Sequence, residues 1–335
     1  MKVVVTGPSG HVGTALVTEL LARGHQVRAV CFDEARSLDG LDIERVEGDV
    51  LDRESLRAAF EGQDWLFHLA GIVSIRRNQR DLMRAVNVDG ARNAAEMALE
   101  CGVSRMVHFS SVHAYETWRL GIPLDESGDR CTSRRNGLYD WTKAMGEAEV
   151  RKVIARGLDG VIVNPTGILG PYDHLPSHMG AFLLQMYQKK VPLLVKGAYD
   201  WADVRDVIDG AIAAMERGRT GENYLLGGHN ASLRELAEIT EEVTGIPQPR
   251  RAVPLWMVQA SLPLTQLALA VTRGRQLVTR YSLKTLASEI QVDCSKARDE
   301  LGYEPRPLRD TLVGAYQWYV DAGMLEGTEA LQGTV

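Results

Sequence analysis

Cysteine is scarce and scattered. Cys31, Cys101, Cys131 and Cys294 are the four in 335 residues, and no two form a CxxC pair. This spacing excludes a zinc knuckle, a thioredoxin-type site and the disulfide framework of a small secreted domain. Basic charge is not in excess, with 38 Lys and Arg against 44 Asp and Glu and a formal net charge of −6. A partner bound through its phosphate backbone needs the opposite balance, so nucleic acid is excluded. The opening MKVVVTGPSGHVG lacks the apolar stretch and cleavage site of a signal peptide, so the chain is expected to start directly in its fold and to reside in a reducing cytoplasm. Long hydrophobic runs are also missing. The nearest, Val253 to Thr272, is broken by Pro254, Gln259, Pro263 and Gln266 at about the minimum length for a membrane span. It reads as buried or cap helices, the alternative being a membrane-touching face, and membrane contact is not expected. No repeat, low-complexity tract or Ser/Gly linker divides the chain, so its parts are expected to pack together around a cleft.

What is present is an alternation of short apolar runs with helix-period segments, the signature of a parallel sheet covered on both faces. Strands are expected at Val3–Thr6, Gln26–Phe32, Glu44–Glu47, Trp65–Leu69, Arg105–Ser110 and Gly160–Asn164. Helical spacing falls between them at Asp52–Phe60, Met83–Cys101 and Leu138–Arg156. Beyond Asn164 the pattern is interrupted by Pro165, Pro171, Pro176 and Pro192, and helices dominate from Ser232. The expectation is an α/β fold: a Rossmann-type doubly wound domain over 1–165, then a smaller, mainly helical substrate-binding part over 166–330 with some segments returning to the first domain.

Between the first strand and first helix stands Thr6-Gly7-Pro8-Ser9-Gly10-His11-Val12-Gly13. Glycine permits the tight turn, lets the backbone approach a pyrophosphate and lets the helix pack close to the strand, while the helix N-terminus supplies free N–H groups. A dinucleotide is the expected ligand, with Gly7, Ser9, Gly10, His11, Val12 and Gly13 around it. About 20 residues on, an acid would take the ribose 2′-hydroxyl of NAD. Asp33 falls there, yet Arg36 is near enough to serve the 2′-phosphate of NADP, and both also read as an ordinary solvated loop pair.

Tyr139-Asp-Trp-Thr-Lys143 is a YxxxK pair in an expected helix, which puts phenol and ammonium one turn apart on one face. A nearby ammonium stabilises phenolate and is expected to lower the Tyr139 pKa, making the phenol a proton donor and acceptor. Ser110 and Ser111 end a strand 28 residues before the tyrosine, where a hydroxyl can bond a substrate carbonyl.

Taken together, TGPSGHVG, the GDV of Gly48–Val50, FHLAG at Phe67–Gly71, NVDG at Asn87–Gly90, FSSVHAYE at Phe109–Glu116, YDWTK, NPTGILGPYD at Asn164–Asp173 and LGYEP at Leu301–Pro305 resemble the extended short-chain dehydrogenase/reductase superfamily, also called the NAD-dependent epimerase/dehydratase family. The likeness runs from Lys2 to about Trp318, and NPTGILGPYD with LLVKGAYDWADVRDV looks most like the dihydroflavonol 4-reductase branch. The resemblance implies a catalytic set of Ser111, Tyr139 and Lys143 joined by Asn87. It places Asp49 and Val50 at the adenine, Ala70 and Gly71 beside the ribose, and Leu69, Asn164, Pro165, Thr166 and Gly167 along the cofactor, with Tyr139 and Lys143 touching it too. Its NAD-selecting acid falls on Cys31 and its NADP-selecting Arg on Phe32, so neither standard selector is present. The cofactor is therefore written NAD(P), with a slight lean to NADP. His113, where some sugar dehydratases of the superfamily carry a Glu, reads as an extra acid/base or substrate contact, or else as a structural imidazole.

The implied activity is an NAD(P)-dependent reductase or alcohol dehydrogenase, with Tyr139 exchanging the proton. The alternatives are a sugar-nucleotide epimerase or dehydratase that retains NAD, and a non-catalytic cofactor sensor. Tyr172, His174 and Trp201, with Trp118, Trp256 and Met257, are candidate walls of an aromatic and apolar cleft suited to a small, hydrophobic carbonyl or alcohol. No metal is expected, and a homodimer is left open.

Overall fold

The structure is a computed structural model and describes residues 1–33, 35–73, 79–117, 122–260 and 280–332. Among them, seven parallel strands form one sheet: β1 (Lys2–Thr6), β2 (Gln26–Cys31), β3 (Glu44–Glu47), β4 (Trp65–His68), β5 (Arg105–Phe109), β6 (Gly160–Pro165) and a late strand, Asn223–Leu226. Across the sheet the late strand lies at one edge beside β6, followed by β5, β4, β1, β2 and β3. The order reverses between β1 and β4, which is where an open α/β sheet leaves a crevice at its strand C-termini.

Alternation along the strands sorts the core into two layers. Val3, Val5, Phe67, Val107 and Val161 face α1 (His11–Ala22) and the helix Val204–Arg217. Val4, Leu66 and Met106 face α2 (Arg53–Phe60), α3 (Ala91–Glu100) and α4 (Leu138–Ile154). Every one of these eight side chains is fully buried, and each contributes roughly 1.5–3 kcal/mol. The helix Val204–Arg217 and the strand Asn223–Leu226 thus come from the second half of the sequence but belong to the sheet.

A second core lies beyond β6. A three-stranded sheet made of Gly167–Leu169, Ala198–Asp203 and His229–Ser232 packs with the helices His178–Tyr187, Leu233–Thr244 and Leu308–Asp321 around Trp201, Tyr199 and Tyr316. Residues 255–260 are helical, and Trp256 and Met257 on them are exposed. Among the described residues no helix is long and apolar enough to cross a membrane. Of the stretch 253–272, residues 261–272 lie outside those described.

Candidate active site

The glycine-rich turn is shaped by contacts that only glycine tolerates. Gly7 has φ +69°, and a Cβ on it would sit 2.7 Å from the Ala70 nitrogen; one on Gly13 would sit 2.1 Å from the Gly7 oxygen. Gly10 differs, since its Cβ would meet only the Gly7 oxygen at 3.8 Å. Gly10 is also the N-cap of α1 and offers no side-chain cap, so open space faces the helix N-terminus, where N–H groups and dipole favour an anion. These residues fit a dinucleotide pyrophosphate. Thr6 completes the turn: its hydroxyl shares a 2.7 Å hydrogen bond with His68 Nδ1 and accepts one from the Ala70 N–H.

The His11 side chain does not face that space, because its Nε2 bonds the Pro171 carbonyl at 2.8 Å. Val12 is half-buried against the first core. At the tip of β2 the strand ends at Cys31, one residue short of the expected boundary, and Phe32, Asp33 and Arg36 are exposed beyond it. The loop is tied back to the turn by Ser37, whose hydroxyl donates to the Ser9 carbonyl at 3.1 Å, bringing Arg36 beside the turn. Asp49 accepts from the Leu51 N–H, and Val50 is buried.

Ser111 caps a short 3₁₀ turn after β5, and its hydroxyl accepts from the His113 N–H at 3.2 Å. Gly137, at φ 159°, precedes α4, so Tyr139 lies in the first helical turn and Lys143 one turn further. The structure brings Ser111, Tyr139 and Lys143 together. Burial pushes the Tyr139 phenol up to about 12, with the Ser111 hydrogen bond pulling it down and the neighbouring Asp140 charge adding to the rise. The expectation that Lys143 would make this phenol a stronger acid is corrected. Burial dominates, and the ammonium is turned to the Phe109 carbonyl at 2.7 Å. Burial lowers Lys143 itself to about 8, against the pull of Glu147. Beneath it, His68 and His108 stack with centroids 5.3 Å apart; burial first, then Lys143, holds His68 down to about 3 and His108 well below its ordinary value.

Asn87 sits in a π-helical segment, Ala85–Gly90, packed so closely on α4 that a Cβ on Gly146 would fall 2.3 Å from the Asn87 oxygen. Its side chain accepts from the Ile72 N–H at 2.7 Å and donates to the Ile72 carbonyl and Thr142 hydroxyl. It thereby fixes the segment after Leu69, Ala70 and Gly71 against the helix that carries Tyr139 and Lys143.

Two expected site residues are corrected. Asn164 is fully buried, and its amide donates to the Ser111 carbonyl at 3.0 Å and to Glu147 at 2.6 Å while its oxygen accepts from Asn223 at 2.7 Å; the side chain is spent inside the protein. Trp201 belongs to the second core, 4% exposed, with its indole N–H on the Ala231 carbonyl at 2.9 Å. Gly167 is the close neighbour that this ring demands, since a Cβ there would sit 2.7 Å from it. Pro165 and Thr166 are buried at the end of β6. Tyr172, half-buried at φ 70°, and His174 both lean on Trp318, at 6.3 and 4.9 Å between centroids. Their loop rests on the start of α1 through His11. Trp118 lies outside the described residues.

His113 is half-buried beside Tyr139 with ring centroids 5.7 Å apart, its Nδ1 3.2 Å from Asp140 and its Nε2 3.0 Å from the Tyr199 hydroxyl. Asp140 and Tyr199 were not among the expected site residues. Asp140 follows Tyr139 directly in sequence, whereas Tyr199, within the LLVKGAYDWADVRDV stretch, has no expected site role and reaches the site through the second sheet.

The model of the NAD dependent epimerase/dehydratase family matches residues 3–227. "Sterol demethylase protein B" of Methylococcus capsulatus is 36% identical, over 97% of this chain and 100% of that protein. A Synechocystis sp. protein provisionally named dihydroflavonol 4-reductase is 34% identical, over 96% and 95%. A 3β-hydroxysteroid dehydrogenase/Δ5→4-isomerase of Mycobacterium tuberculosis is 30% identical, over 91% and 86%. Among solved structures, gox2253 superimposes with a TM-score of 0.83 at 32% identity, covering 97% of this chain and 99% of that one. PA4631, a nucleoside-diphosphate-sugar epimerase from Pseudomonas aeruginosa, does so at 0.79 and 25%, covering 97% and 99%. The family model spans the glycine-rich turn and the YxxxK helix of this chain, and the relatives match it over nearly its whole length: the chain belongs to the NAD-dependent epimerase/dehydratase family of extended short-chain dehydrogenase/reductases.

Proposed function

We propose that the protein is an NAD(P)-dependent reductase of a ketone or aldehyde on a small, largely apolar compound. The observation that carries this reading is the geometry of the Tyr139 phenol, buried, hydrogen-bonded with Ser111 and one helical turn from Lys143. A protonated phenol in that position can donate to a carbonyl oxygen as negative charge develops there. When bound, the nicotinamide cofactor supplies the hydride. Gly7, Gly10 and Gly13 would hold its pyrophosphate and Lys143 its ribose. Ser111 orients the carbonyl, and Tyr139 passes its proton to the oxygen.

The names of the relatives support the substrate class. One is a 3β-hydroxysteroid dehydrogenase and another, from Stigmatella aurantiaca, a ketoreductase of a farnesylated quinoline oxide; both names specify redox at a carbon–oxygen bond of an apolar ring compound. Cofactor choice leans slightly to NADP, because no carboxylate stands at Cys31 to repel a 2′-phosphate and Arg36 can make a charge-assisted contact. A second reading, a nucleotide-sugar epimerase, is favoured by the likeness to PA4631.

The test is a panel of ketones and aldehydes, 3-oxo steroids included, with NADH and NADPH, followed by loss of reduced-nicotinamide absorbance. The proposal expects turnover of an apolar carbonyl and free exchange of added cofactor. Failure on every carbonyl, with NAD retained through purification and micromolar binding of a uridine or thymidine diphosphate sugar, overturns it in favour of the second reading.

A further inference from the structure

The helix that presents Tyr139 also presents a carboxylate directly after it. Asp140 is buried, and a buried anion next to a phenol opposes the charge that the phenol acquires on giving up its proton. One imidazole stands between this carboxylate and the second half of the molecule. His113 Nδ1 lies 3.2 Å from Asp140 Oδ1, its Nε2 lies 3.0 Å from the Tyr199 hydroxyl, and its ring meets Tyr139 edge-on and lies nearly parallel to Tyr199. His113, Asp140 and Tyr199 come from three elements: the turn after β5, the first turn of α4 and the strand Ala198–Asp203. The hydrogen-bond order is informative. A phenol donating to Nε2 leaves the proton of a neutral imidazole on Nδ1, where it points at the carboxylate.

We propose that His113 is a positioning residue for Tyr139: clamped between Asp140 and Tyr199, it screens the carboxylate that α4 places beside the reacting phenol and so keeps that phenol an effective acid. The inference rests on Tyr139 being the proton donor. Tyr199 acts through His113 by fixing its tautomer and by docking the second sheet against the start of α4. The titratable groups shown against the imidazole are Tyr139 and Asp140 from α4 and Tyr199 from the strand, with Asp200 next to Tyr199 in sequence. Asp140 is the anion in contact with the imidazole, whereas Asp200 is engaged with the Gly228 N–H at 2.7 Å.

The experiment reads ionisation rather than turnover, so it is separable from the functional reading. Protein saturated with NAD⁺ or NADP⁺, whichever binds tighter, is jumped to alkaline pH and its tyrosinate absorbance is taken before it unfolds. The same protein carrying Tyr139→Phe is subtracted, which isolates Tyr139. His113→Ala is expected to raise the Tyr139 midpoint by about one pH unit, a tenfold loss of phenolate at fixed pH. Adding Asp140→Asn is expected to return it to the wild-type value or below, and Tyr199→Phe alone to give a smaller rise. A midpoint unmoved by more than about 0.3 unit in His113→Ala, or a rise that survives Asp140→Asn, overturns the proposal, because damage from a cavity would not be cured by removing the charge. If His113→Ala does not fold, His113→Gln, which can still donate to Asp140, should titrate near wild type and His113→Met about one unit higher; equal midpoints overturn the proposal. Retained turnover in Tyr139→Phe would instead overturn the assignment of the donor.

Discussion

Replacing Lys143 by methionine should make the fold more stable and the site useless. Lys143 is 7% exposed, and burial lowers its pKa from the ordinary 10.5 to about 8. At about 1.4 kcal/mol per unit this corresponds to roughly 3 kcal/mol of penalty for holding the charge in the folded state. The folded pKa is the lower one, so the penalty is complete below pH 8, where the lysine is charged in both states. It shrinks between pH 8 and 10.5, where the folded protein has released the proton and the unfolded chain has not, and it vanishes above. Methionine fills similar space without the charge but gives up the hydrogen bond to the Phe109 carbonyl, worth about 1 kcal/mol. Urea unfolding should therefore find Lys143→Met about 2 kcal/mol more stable than wild type at pH 7. By pH 10.5 the order should reverse, by about 1 kcal/mol, while cofactor affinity and turnover are lost throughout. A variant less stable than wild type at pH 7, or a gap that does not change with pH, would refute the electrostatic account of this lysine.

Three further outcomes follow from the same geometry. Asn164→Leu leaves the Ser111 carbonyl, Glu147 and Asn223 each short of a buried partner, and should cost about 3 kcal/mol or more in urea unfolding; a loss below about 1 kcal/mol would mean that the network repairs itself. Gly10→Ala meets nothing closer than 3.8 Å, so its thermal midpoint should match wild type while calorimetry finds dinucleotide affinity at least about tenfold weaker; unchanged affinity would place the pyrophosphate elsewhere. Arg36→Ala should raise the KM for NADPH several-fold and leave that for NADH alone, and an equal effect on both would return cofactor choice to Asp33 and NAD.

The legible parts of the sequence were those where local physics and tertiary context agree. Strand runs such as Val3–Thr6 are buried on both faces in a parallel sheet, so apolar continuity marks them and glycine-rich turns mark their ends. Tyr139 and Lys143 share a helix face, a relation that spacing alone expresses. Asn164 and Trp201 were misplaced because a motif records that a residue is required without recording whether it faces ligand or interior. Asn164 tethers the backbone of Ser111, and Trp201 closes the second core. The acid strength of Tyr139 was misread for a related reason: YxxxK spacing records neither the burial of the phenol nor the turn of the ammonium to the Phe109 carbonyl. The His113 partner Tyr199 is 86 residues away, and no local pattern could have paired them.

Tyr139→Phe tests the central claim most directly, since it removes one hydroxyl and keeps the ring. With an apolar ketone from the panel and the preferred reduced cofactor, kcat should fall by about a thousandfold, within the range a positioned proton donor contributes. Cofactor affinity, measured in parallel by calorimetry, should change by less than about threefold. Turnover within about threefold of wild type, with the ketone still reduced, would contradict the account and require a different proton donor.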